Sequence, residues 1–266
     1  MILPDTKSQA FETRMFEGKT GSSSERMMTR NANAMRGAVN QYLRWNLSVF
    51  PIGKNKRILD LGCGPGIYFS EVMRYAPSFY VGADSSPDFL GQLAAQFGDR
   101  KSCRTVRLNV MTGEGTEALD RYTFEYIFFF DVLEHLDDEG LALANIRSIM
   151  KKCRVDYLFL RVPALPVLYG ANDAAIGHCR RYTKASLHRV LDRARFQIKS
   201  LHYQNFAGIF SWYFIGRILK RDLAVSSTEG KLFNQMVPFF RILENIVPPP
   251  WGSTLACICT LKETDP

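Results

Sequence analysis

Residues 58–66 read ILDLGCGPG, an aliphatic run carrying one acid, Asp60, that leads into glycines at 62, 64 and 66. A helical stretch follows. This order reads as a buried strand, a tight turn and the opening of a helix. Glycine at alternate positions lets the backbone turn sharply and lets a ligand touch main-chain amides. The turn therefore predicts a small-cofactor site at the tip of the first strand.

The rest of the chain repeats the rhythm. Strands are expected at 57–61, 79–83, 103–108, 125–130 (EYIFFF in sequence), 156–161 and 196–204. Helices are expected at 35–50, 67–75, from the Ser86-Pro87 cap through Phe97, and over 139–150 and 184–194. Near-continuous apolar strands alternating with helices argue for an α/β fold: a Rossmann-like, doubly wound, mostly parallel sheet covered on both faces. At 206–216 the pattern breaks into the uncharged run FAGIFSWYFIG, too short to span a bilayer. A second apolar patch, MVPFFRILENIVPPPW, and a convincing last strand at 254–262 follow. The expected organisation is an N-terminal cap at 1–50, a core at 51–206, an insertion at 207–253 and the final core strand in 254–266. The apolar face of the insertion has three readings: buried core, a lid over the substrate, or a weak membrane-surface contact.

The 34 basic residues exceed the 26 acidic ones by eight, favouring acidic partners without choosing among them. Segment 178–199 holds seven Lys/Arg and one Asp. Its Leu187, Val190, Leu191 and Ala194 follow helical spacing, so Arg189 and Arg193 fall on a wet face, and no nucleic-acid partner is expected. The polar first 20 residues contain no apolar run, and the six cysteines form no CxxC pair or zinc-like spacing. Both point to reduced thiols and a cytoplasmic protein.

In a doubly wound sheet the ligand lies beyond the carboxyl ends of the strands, where strand order reverses. Four segments should meet there: the glycine turn, Val81-Gly-Ala-Asp84-Ser85, Arg107-Leu-Asn109-Val110, and Phe130-Asp131-Val132-Leu-Glu-His135. Asp84 can accept hydrogen bonds from both hydroxyls of a ribose. A nicotinamide dinucleotide would favour G-x-G-x-x-G, whereas the spacing here is G-x-G-x-G after an acid. Asp60 suits an ammonium-bearing ligand, and Pro65 removes an amide that a pyrophosphate would use.

ILDLGCGPG, GADSS, LNV and FDVLEHL resemble, in order and spacing, the motifs of class I S-adenosylmethionine-dependent methyltransferases, over about residues 30–200. The resemblance implies a seven-stranded sheet whose antiparallel final strand inserts beside the one before it. It implies that Asp60, Gly62, Cys63, Gly64 and Gly66 face the methionine moiety of S-adenosylmethionine. Asp84 would bind the ribose, Ser85 and Asn109-Val110 the adenine, and Asp131-Val132 the floor beneath the methyl donor, with His135 close to the cofactor. Asn109 stands where this family often has Asp. Gly177-His-Cys-Arg-Arg-Tyr-Thr183 resembles a GHxRRYT stretch of a bacterial subgroup that modifies small biosynthetic metabolites.

Methyl transfer from a sulfonium needs alignment and, at most, removal of a proton from the acceptor. The candidates for that role are His178, His135 and Tyr182, with His178 and Tyr182 preferred, and with Arg180, Arg181 and Trp212 at the acceptor. One histidine with carboxylates at i−4 and i−1 (His135, Asp131, Glu134) is weak ligand geometry, so no metal is expected. The expected function is methyl transfer to oxygen or nitrogen of a small, possibly acidic, metabolite. An RNA or protein methyltransferase using the basic face, and a non-enzymatic cofactor-binding partner protein, are the alternatives.

Overall fold

Tyr126–Phe130 is apolar throughout and all five residues are buried, the signature of a central strand covered on both faces. In the computed structural model, which describes residues 40–211, 213 and 228–263, this strand lies at the centre of a seven-stranded sheet. The first half of the chain runs α1 (Asn40–Ser48), β1 (Arg57–Leu61), α2 (Phe69–Val72), β2 (Phe79–Asp84), α3 (Pro87–Ala94), β3 (Cys103–Arg107) and β4 (Tyr126–Phe130). There follow α4 (Glu139–Lys152), β5 (Tyr157–Pro163), α5 (Ala171–Ala175), α6 (Lys184–Arg193), β6 (Phe196–Gln204), α7 (Phe206–Ser211), α8 (Thr228–Ile246) and β7 (Thr254–Leu261). The strand order is β3-β2-β1-β4-β5-β7-β6, parallel except for β7, which is antiparallel to both its neighbours. The doubly wound, seven-stranded expectation is met.

The period-two alternation of the strands feeds two cores. Leu59, Leu61, Ile127, Phe129, Leu158 and Leu160 pack with Ile146 and Ile149 of α4 and with Leu187 and Leu191 of α6. On the other face, Ile58, Tyr80, Phe128 and Phe159 pack with Leu47 of α1, Phe69 of α2 and Leu93 of α3. Aromatic stacking consolidates this second face: Phe50 lies 5.1 Å from the rings of both Phe130 and Phe159. As predicted for α6, Leu187 and Leu191 are buried while Arg189 and Arg193 are exposed.

Local differences from expectation have local causes. The helix expected at 67–75 shrinks to the four residues of α2 and a 3-10 turn over Met73–Tyr75, since Tyr68 provides no side-chain cap. Helix α3 starts where expected, with Ser86 accepting from the Phe89 amide, but stops at Ala94. Of the helix expected at 35–50, residues 40–48 are helical and 35–39 lie outside the described residues. The apolar patch near 240 belongs to α8, a 19-residue helix with Pro238 inside it. Val237 of α8 is buried, whereas Phe239, Ile242, Leu243 and Ile246 are exposed. Among the described residues, no helix is long and apolar enough to cross a membrane. All six cysteines are free thiols.

Candidate functional site

Strand order reverses between β1, which continues through β2, and β4, which continues through β5. The carboxyl ends of these strands bring the predicted segments together. The amides of Gly62 and Cys63 both donate to the Ala83 carbonyl, at 2.7 and 3.1 Å, so the glycine turn hangs from the end of β2. Gly62 has φ +68°, and a Cβ there would lie 2.4 Å from Cγ2 of Val132. Glycine is therefore required twice over, by the left-handed backbone and by the loop after β4 that presses on it.

Gly64 has φ +51°, and a Cβ there would meet nothing within 4 Å, so the crest of the turn borders open space. Its amide donates to Asp84 Oδ2 at 2.9 Å, while Ser86 N donates to Asp84 Oδ1 at 2.9 Å. Two backbone donors thus fix the carboxylate at the tip of β2. Beside it, Ser85 and Asn109 line an open depression of about 150 Å³ with Arg107, Glu114, Gly115 and Glu117. That volume is below the ~300–1,000 Å³ of whole-ligand pockets, so the depression takes one end of a ligand.

Asn109 differs in detail from expectation. Its Oδ1 accepts from the amides of Met111, at 2.9 Å, and Thr112, at 3.3 Å, so the side-chain carbonyl is committed to its own turn. The carbonyl of Val110 accepts from the Asn145 side chain at 2.8 Å.

Asp60 lies behind the turn and is buried, with Tyr80 donating its hydroxyl at 2.7 Å. Burial raises its carboxyl to about 7, against the lowering effect of the Tyr80 bond and with a further push from the Asp84 charge. Asp131, at the tip of β4, has φ +57° and forms an ion pair with Arg161 of β5. The Arg161 guanidinium also donates to the hydroxyls of Tyr68, at 3.0 Å, and of Tyr42 from α1, at 2.9 Å. Tyr42 N in turn donates to Asn234 Oδ1 of α8 at 3.2 Å, so both α1 and α8 reach this edge of the sheet.

A second cluster forms where the loop after β4 meets the loop ahead of α6. The Cys179 amide donates to the Glu134 carbonyl at 2.7 Å and straps the two together. His178 Nδ1 lies 2.8 Å from Asp173 Oδ1, and its Nε2 lies 3.7 Å from Glu134 Oε1. The His135 and His178 rings meet edge to face at 4.7 Å, and His135 Nδ1 lies 3.1 Å from the Gly177 carbonyl. Burial, and then the neighbouring His178, lower His135 to about 4, so its ring is neutral near pH 7. Burial, with the nearby Asp131 charge, pushes the Glu134 carboxyl well above the usual range. Burial alone would also raise Asp173, but bonds from His178 and Arg181 hold it below the ordinary carboxylate value.

Three expected acceptor-side residues are otherwise engaged. Tyr182 is in the core, its hydroxyl donating to Glu139 Oε2 at 2.7 Å, and burial raises its phenol far above neutrality, so it is no proton acceptor. Arg181 is buried, donating to Asp173 Oδ1 at 2.8 Å and to the Ala164 carbonyl at 3.1 Å. Arg180 pairs with Glu139 at 3.1 Å and donates to the Asp137 carbonyl at 3.0 Å. Both arginines brace this loop instead of clamping an acid. Trp212 lies outside the described residues.

Asp173 and Arg161 were not foreseen. Arg161 had a readable signal, a lone charge in the buried apolar strand YLFLRVP. Asp173 had none, because its importance exists only once α5 carries it to His178.

Comparison with known proteins agrees with this arrangement. The family profile described as Methyltransferase domain matches residues 32–201. No curated protein matches the chain. Among solved structures, the chain is similar to a complex between the Haloferax volcanii Trm112 methyltransferase activator and a putative methyltransferase. The TM-score is 0.60 and the identity 11%, covering 92% of this chain and 100% of that one. It is also similar to an S-adenosylmethionine-dependent methyltransferase from Mesorhizobium loti, with TM-score 0.51 and 13% identity over 81% of this chain and 95% of that one. The [4+2]-cyclase SpnF is similar too, with TM-score 0.52 and 12% identity over 84% and 81%. At such identities these structures speak to the fold alone, and the family match carries the assignment. The chain belongs to the methyltransferase-domain family, as a class I methyltransferase whose cofactor is S-adenosylmethionine.

Proposed function

We propose that this enzyme methylates an oxygen or nitrogen of a small-molecule acceptor held between the glycine turn and the His178 loop. The observation that carries the reading is the alignment along one sheet edge of Asp60, the 62–66 turn, Asp84 and the Ser85–Asn109 depression, with the polar Glu134–His135–His178 cluster beyond Asp131. The residues fit the cofactor. The open crest at Gly64 leaves room for it, Asp84 is held by two backbone amides at the strand tip where the ribose would lie, and Asp60 would take the ammonium group. Ser85, Val110 and the amide N–H donors of Asn109 serve the adenine end, the Asn109 carbonyl being committed to its turn. Val132 and Asp131 form the floor, Val132 by packing on Gly62 and Asp131 by its ion pair to Arg161. Bound there, S-adenosylmethionine supplies a methyl group already activated on a sulfonium.

On the acceptor side, Asp173 fixes the His178 ring through Nδ1, so Nε2 is the atom offered as an electron-pair donor. The engagement of Arg180 and Arg181 in ion pairs removes the argument for an acidic acceptor. Helices α1 and α8, joined through Tyr42 and Asn234, cap this edge and limit the acceptor's size.

Formation of S-adenosylhomocysteine with a panel of small hydroxyl- and amine-bearing acceptors tests the reaction. For the donor site, Asp84→Ala should weaken S-adenosylmethionine binding by about 2–4 kcal/mol, the cost of stranding two hydroxyls. Calorimetry giving wild-type affinity for that variant would refute the ribose role.

A further inference from the structure

We propose that Glu134, His135 and His178 form a binding site for one divalent transition-metal ion of the zinc class. One ligand atom from each of these residues lies within 4.8 Å of the others. The argument rests on what those atoms carry. His178 directs Nδ1 to Asp173 Oδ1 and His135 directs Nδ1 to the Gly177 carbonyl, so each ring spends its Nδ1 proton on an acceptor and has Nε2 left for a ligand. Glu134 contributes a carboxylate with 0% side-chain exposure, and neither of its oxygens has a hydrogen-bond partner. With Glu134 ionised, three electron-pair donors face one another.

A buried carboxylate without a donor is costly. A proton on Glu134 would satisfy one oxygen and one facing nitrogen. A cation satisfies all three groups together. Tetrahedral ligands with bonds of about 2.1 Å stand about 3.4 Å apart, and the 3.7 Å between Glu134 Oε1 and His178 Nε2 is already close to that. The His135 ligand atom lies within 4.8 Å of the other two. Asp173 and the Gly177 carbonyl occupy the positions that orient metal-bound imidazoles, and Arg181 and Gly170 N hold Asp173 in turn.

Two imidazoles and one carboxylate suit zinc, cobalt, iron or manganese. They do not suit magnesium or calcium, which call for more oxygen ligands. Three protein ligands leave at least one position open, as in sites where an ion meets an exchangeable molecule. Sequence spacing around His135 alone could not reveal this site, because its second imidazole arrives from the loop ahead of α6.

The inference does not depend on the acceptor, since ion binding is read without S-adenosylmethionine. The full chain, stripped with a chelator, is titrated with Co²⁺ and followed by visible absorption, then challenged with Zn²⁺. One equivalent should bind, be displaced by Zn²⁺ and raise the melting temperature. Glu134→Gln and His135→Ala should each weaken Co²⁺ binding by about 100-fold or more, with circular dichroism melts reporting whether each variant is folded. Failure of the wild-type chain to bind Co²⁺ saturably would overturn the site, as would wild-type affinity in either folded variant. A loss in both variants, with the S-adenosylmethionine affinity of the wild-type chain the same with and without the ion, separates this site from the donor site.

Discussion

Asp60 holds the most perturbed carboxyl of the donor side, and the perturbation has a measurable consequence. An acid whose folded value, about 7, lies above its ordinary 3.8 keeps its proton in the folded state over the interval between them. There the folded state binds more protons than the unfolded one, so stability is full at the acid end and falls as pH rises toward 7. The loss attributable to Asp60 is at most about 4 kcal/mol. Urea denaturation of the ligand-free protein at pH 5 and pH 8 should reveal this decline, and Asp60→Asn should flatten it. Identical profiles for the variant and the wild type would sink the assignment. Because an ammonium group favours ionised Asp60, S-adenosylmethionine binding at pH 6 should also release a proton. Calorimetry in buffers of different ionisation enthalpy measures that release directly.

Asp60, Gly62, Asp84 and Asp131 were all legible in the sequence, since each closes an apolar strand or opens a turn where a ligand edge must lie. The cluster around His178 was not. Its partners Asp173 and Glu134 come from α5 and the loop after β4, and no local pattern brings such segments together. The same limit explains Tyr182, Arg180 and Arg181. Polar and aromatic residues beside a candidate histidine look functional until Glu139 and Asp173 are seen to hold them.

Among the elements, the turn after β1 and strand β4 bear opposite kinds of constraint. Gly62→Ala would force a side chain into Val132 at a left-handed backbone position, and it should lower both stability and S-adenosylmethionine affinity. Gly64→Ala, whose Cβ meets open space, should carry only the strain of a left-handed alanine, about 1–2 kcal/mol, without a clash, and otherwise act through cofactor affinity. Comparing the two by thermal melt and calorimetry distinguishes a packing glycine from a ligand-facing one. In β4, Phe128 is fully buried and stacks on Phe130 at 5.0 Å, so Phe128→Ala should cost about 3–5 kcal/mol in urea denaturation. The strands were readable because a strand buried on both faces is apolar at every position. The helices were less readable at their ends, where α2 yields to a 3-10 turn and α3 stops short of Phe97.

At the scale of the whole molecule, the excess of eight positive charges and the exposed Arg189 and Arg193 keep an RNA acceptor in view. Counterion release separates the two readings. An RNA bound through six or more phosphates would lose about 10³-fold in affinity between 50 and 200 mM salt. A small acceptor should leave KM nearly constant over that range, and a steep rise in KM with salt would overturn the small-molecule reading.

The insertion of β7 between β5 and β6 also governs how the sheet is completed. Strands β5 and β6 do not touch in the sheet until residues 254–261 pair with both. During synthesis, about 50 residues separate the end of β6 from the start of β7, roughly 2–10 s of elongation at typical ribosomal rates. For that interval the nascent chain presents the open edge of β5, an apolar strand with unpaired amides and carbonyls, to any other strand in reach. The last strand to be translated is the one that shields this edge, so translational pausing within 205–253 would lengthen the time during which the chain is vulnerable to aggregation.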